Sequence, residues 1–96
     1  MKAETIKTIK QLCNAIWSTY GDEYGYASEK IEQNNKVTES EENVDFFFGQ
    51  FDIHNQAKLI DLCKRILPRE EQAKVLKYVE KLAGKEYLDE MLRLNS

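Results

Sequence analysis

At 96 residues and 11.3 kDa, the chain has the length of one domain, residues 1–96, with enough surface to bury a modest core. Four glycines and one proline are too few for the turns of a many-stranded fold, and a net charge of -3 excludes a strongly basic nucleic-acid binder. The charge is uneven: residues 21–45 carry eight acidic and two basic side chains, so the remainder is slightly positive.

In chain order, Ile6, Ile9, Cys13, Ile16 and Tyr20 recur at gaps of three and four, the period of one helix face, and Gly21 is a natural stop. A short second helix follows, with Tyr24, Ala27 and Ile31 on one side. Asp22 or Ser28 is expected at its start, and "EQNNK" reads as its exit or a loop. Thr38, with Glu41 three residues on, fits a capping box for a third helix carrying Val44, Phe47, Phe48 and Phe51. Val44, Phe46 and Phe48 also alternate as a strand would, but nothing else in the chain offers such a strand a partner. Asp52 or Asn55 can cap a fourth helix with Leu59, Leu62, Cys63 and Ile66 inward. Pro68 ends it and opens a fifth, which buries Val75, Val79, Leu82 and Ala83 and stops at Gly84. Tyr87, Leu88, Met91 and Leu92 make a last short helix. The expected architecture is an all-α, single-domain bundle of five to six short helices.

The stretch "LIDLCKRILPREEQAKVLKYVEKL", a quarter of the chain, resembles the helical tail that often follows the DNA-binding module of phage-type repressor regulators. The shared features are a leucine-rich helix, a proline turn, "EEQ" and a second helix of the form VLxYxxxL. The helix-turn-helix that should precede it is not recognisable before Gln50. The resemblance implies a helical hairpin suited to packing or pairing.

Chemistry is sparse. His54 is the only histidine, so it is the only imidazole base for either thiol, and both Cys13 and Cys63 sit at apolar positions of a helical pattern. They are expected as buried free thiols. There is no CxxC, HExxH, EF-hand loop or glycine-rich phosphate loop. The carboxylate pairs Glu29–Glu32 and Glu86–Glu90 read as solvated charge. The expectation is therefore no enzyme, with no catalytic residue, no cofactor and no metal.

Two surfaces remain. Consecutive helical residues lie about 100° apart, so Phe46, Phe47, Phe48 and Phe51 cannot all turn inward. With Glu39, Glu41, Glu42 and Asp45 ahead of them, Phe46 and Phe47 form an acidic-aromatic surface of interface composition. That points to a protein partner with a basic surface, and to a small prokaryotic or phage-type inhibitor or adaptor. Lys74, Lys77, Lys81 and Lys85, spaced three and four apart, are the alternative: a nucleic-acid face on a dimeric transcriptional regulator. A structural subunit of a helical assembly is the third reading. "MKAETIKTIK" lacks a signal-peptide core and no run nears the ~20 residues of a membrane span, so a cytoplasmic setting without membrane contact is expected.

Overall fold

The computed structural model describes residues 1–21 and 23–95, with the backbone alone at Glu23. Among them are six helices: α1 (Ala3–Ser18), α2 (Tyr26–Lys36), α3 (Val44–Gly49), α4 (Ile53–Ile66), α5 (Arg69–Ala83) and α6 (Lys85–Leu94). Single 3₁₀ turns at Glu23–Gly25 and Glu41–Asn43 lead into α2 and α3. No strand occurs among the described residues, and the fold is all-α. The phenylalanine run is helical through Gly49, with Phe51 in the turn beyond it.

Helix α1 packs against α2, α3 and α4, and α4 packs in turn against α5 and α6. The core therefore lies around the α1–α4 contact. Its largest fully buried side chains include Trp17, Phe47, Ile9, Ile16, Leu59 and Ile60. Helix α1 is covered on several sides, so it buries a broad arc, Thr5, Ile6, Ile9, Leu12, Cys13, Ile16 and Trp17, where one stripe was expected. Tyr20 keeps the period but lies past the end of the helix and is exposed. A radius of gyration of 12.8 Å matches the ~12–13 Å of a folded chain this long.

Helix boundaries follow local chemistry. Asp52 caps α4, its Oδ1 accepting the Asn55 N–H at 3.0 Å. Pro68 directly precedes α5, where the first turn needs no N–H donor from it, and Gln72 Nε2 donates to the Leu67 carbonyl left open at 2.6 Å. Gly84 at φ 93° occupies backbone that a side chain would strain, which lets α5 stop and α6 turn back. Asn95 Nδ2 then ties the end of α6 to the Ala57 carbonyl of α4 at 2.8 Å.

Several expectations need correction. Ser28 does not cap α2: Gly25, left-handed at φ 72°, precedes it, and Asp22 lies outside the described residues. "EQNNK" is the polar exit of α2, which ends at Lys36, and the loop alternative fails because Asn34 is fully buried against α1 and donates to the Lys10 carbonyl (2.9 Å) and Asn14 Oδ1 (2.7 Å). The capping box does not form, since Thr38 Oγ1 instead accepts from Asn43 Nδ2 at 2.7 Å. Ile66, Leu82, Ala83 and Tyr87 are exposed, each within a turn of a helix end.

Candidate functional site

The acidic edge begins where α2 ends. Ser40 opens the 3₁₀ turn, which runs directly into α3. Glu39, Glu42 and Asp45 are exposed and three residues apart, so helical geometry sets Glu42 and Asp45 in a row, with Phe46 one turn from Glu42. No ion pair reaches Glu39, Glu42 or Asp45 among the described residues. Glu41 is different. Its Oε2 accepts from the Met1 ammonium at 3.0 Å, and its carbonyl accepts the Tyr78 hydroxyl at 2.9 Å.

The aromatic half of this surface shrinks to one ring. Phe47 is 0% exposed and belongs to the core, which corrects its expected place at a partner surface. Helix α3 lays Val44, Phe47 and Phe48 inward and leaves Phe46 at the margin, the next residue being turned by about 100°. Phe46 is half-buried, its ring edge-on to Phe47 at 6.1 Å between centroids.

The lysine face lies directly beside this edge. Lys74, Lys77 and Lys81 line one cleft of about 480 Å³ with Met1, Tyr78, Glu80 and Glu41. Lys85 opens α6 and is not among the lining residues. Partial burial, and then the charges of Asp45 and Glu41, push the Tyr78 phenol up from its ordinary value, another sign that the acidic turn and α5 meet. Lys74 is further committed: it bonds Glu71 Oε1 at 3.2 Å. The two surfaces inferred separately from the sequence are thus neighbours across one seam.

Glu71 is the buried charge that the sequence pattern concealed. It is 2% exposed, and its Oε2 accepts from the Thr5 hydroxyl at 2.7 Å and more weakly from the Lys2 N–H at 3.4 Å. Chiefly the Thr5 bond, and then Lys74 and the Lys2 N–H, outweigh burial and hold its carboxyl well down, to about 2. Its four-residue spacing to Val75 and Val79 is the signal that could have found it. Both thiols are buried and free. Burial pushes Cys63 up to about 12, and burial with Cys63 nearby pushes Cys13 up as well, so neither is a ready nucleophile.

Among the described residues, no three or more His, Cys, Asp or Glu side chains group so as to hold a metal ion. None of the described helices is long and apolar enough to cross a membrane.

A second recess escaped the sequence reading. Tyr20 and Tyr26, both exposed, stand at a cleft of about 340 Å³ floored by Trp17 and Phe51 and bordered by Asp52. The signal was present in "YGDEYGY", where three tyrosines alternate with turn residues.

Comparison of the chain with protein-family models, curated proteins and solved structures finds no match.

Proposed function

We propose that the protein is a non-catalytic helical interaction module, an inhibitor or adaptor, that docks a basic surface of a partner protein on the edge formed by Glu39, Glu42, Asp45 and Phe46. The observation that carries this reading is the exposure of three carboxylates without ion-pair partners among the described residues, beside a half-covered phenylalanine. Exposed charge with no internal counter-ion adds little to folding and is available to steer a partner of opposite sign. A half-buried aromatic at its margin supplies apolar contact without extra ordering cost. Glu41 is left out, since its contacts hold the chain to itself.

The test is affinity capture from native lysate with the wild-type chain and with Glu39→Lys, Glu42→Lys, Asp45→Lys combined. The partner is expected to be lost from the variant and released from the wild type by raised salt. A partner retained by a folded variant contradicts the proposal.

One observation favours the nucleic-acid reading, the convergence of Lys74, Lys77 and Lys81 on one cleft. Glu41 and Glu80 line the same cleft, so a phosphate backbone would meet both signs there. A gel shift abolished by Lys77→Glu with Lys81→Glu would select this reading over the acidic edge.

A further inference from the structure

The loop between α1 and α2 and the first residue of α2 expose Tyr20, Tyr24 and Tyr26 within seven residues. Tyr24 is wholly in solvent and sits in left-handed backbone at φ 59°, a conformation that costs a non-glycine residue energy. Beside it, the Tyr20–Tyr26 cleft has a fixed floor: Trp17 and Phe51 are both buried, their rings 4.8 Å apart at 31°.

Among the described residues lining this cleft, Asp52 is the charged one. Its Oδ1 accepts from the N–H and the Nδ2 of Asn55, which offsets the positive end of α4. Its Oδ2 has no partner among the described residues. The rim already holds one cation: Lys30 Nζ lies 5.8 Å from the Tyr26 ring centroid and donates to Gln50 Oε1 at 3.0 Å.

We propose that this cleft takes an arginine side chain of a partner protein, the guanidinium plane stacked on Tyr20 and Tyr26 with its N–H donors on Asp52 Oδ2. Arginine fits better than lysine because a flat, weakly hydrated guanidinium stacks on tyrosine faces while keeping in-plane donors for a carboxylate. A protein source follows from the surroundings. Tyr24 adds exposed aromatic area outside the cleft, and the flanking segment, residues 21–45, is acidic by eight to two. This inference stands on the cleft and goes beyond the acidic edge, so each can fail alone.

Trp17, the only tryptophan, is a built-in reporter in the cleft floor. Titration of the folded chain with N-acetylarginine amide is expected to change Trp17 fluorescence saturably, in the millimolar range suited to so small a ligand. The neutral isostere N-acetylcitrulline amide should not. Asp52→Asn keeps the cap but removes the charge, and should weaken binding roughly two- to fivefold. Lys30→Met frees the Tyr26 face and should tighten it by a similar factor, roughly two- to fivefold, a gain that no loss of structure would produce. Should Asp52→Asn fold poorly, Tyr20→Ser serves in its place and should likewise weaken binding. Equal response to citrulline, which would mark a site for neutral polar ligands, overturns the proposal. So does unchanged affinity in the Asp52→Asn and Lys30→Met variants, or the absence of any saturable change.

Discussion

Helices α2 and α4 both pack on α1, but by different physics. Helix α4 buries Ala57, Leu59, Ile60 and Cys63, whereas α2 buries only Ala27 and Asn34. What α2 lacks in apolar area is supplied by polar contacts. Lys10 Nζ donates to the Asn35 and Val37 carbonyls at 3.1 and 2.8 Å, Asn34 bridges to Lys10 and Asn14, and Asn14 Nδ2 reaches Asn35 Oδ1 at 2.8 Å. Lys10 also places a cation at the C-terminal end of α2, where the helix dipole favours it. Apolar burial is non-directional and tolerates repacking; a hydrogen-bonded seam fixes one register but opens when a single donor is removed. The α1–α4 side is therefore the stable body. The α2 side, which carries both the tyrosine loop and the approach to the acidic edge, is the region expected to open first.

That contrast can be broken at either end. The largest effect should come from the apolar side: Phe47→Ala is expected to cost about 3–5 kcal/mol in denaturant unfolding, since Phe47 is wholly enclosed. Asn34→Ala should cost less, about 1–3 kcal/mol, and should raise hydrogen exchange through α2 while leaving α4 protected. Equal exchange in both helices would erase the distinction. A third effect depends on pH. The Glu71 carboxyl is lower in the folded chain, about 2, than its ordinary 4.5, so its contribution is complete above about pH 5 and is lost as pH falls toward about 2. Unfolding of the wild type should therefore show an acid-dependent loss across that window that Glu71→Gln lacks. The smallest effect is at the α4 cap: Asp52→Ala should cost about 1 kcal/mol, and Asp52→Asn should be nearly neutral.

Much of this fold was legible because the punctuation is local. Pro68 and Gly84 bound α5, Asp52 caps α4, and the three-four spacing marks each long helix. The errors share a cause, which is that helical period says where a side chain points but not whether anything lies opposite. Tyr20 and Leu82 keep the period and meet solvent, while Asn34 and Glu71 keep it and are buried. The latter two were passed over because their chemistry is polar, although Ile31–Asn34 and Glu71–Val75–Val79 have inward spacing. At the candidate site, the carboxylates were visible as a charge imbalance and the lysines as a stripe. Their adjacency was not, because it joins Glu41 to Tyr78, 37 positions on, through the packing of the 3₁₀ turn against α5. The tyrosine cleft was hidden for the same reason: Trp17, Tyr26 and Asp52 come together only once α1, α2 and α4 are placed.

The proposed docking of a partner on the acidic edge is tested most directly by hydrogen exchange of the chain with and without its captured partner. Protection is predicted to appear over residues 39–46 and to diminish as salt is raised. Protection confined to residues 74–85, with 39–46 exchanging as freely as in the isolated chain, would contradict it.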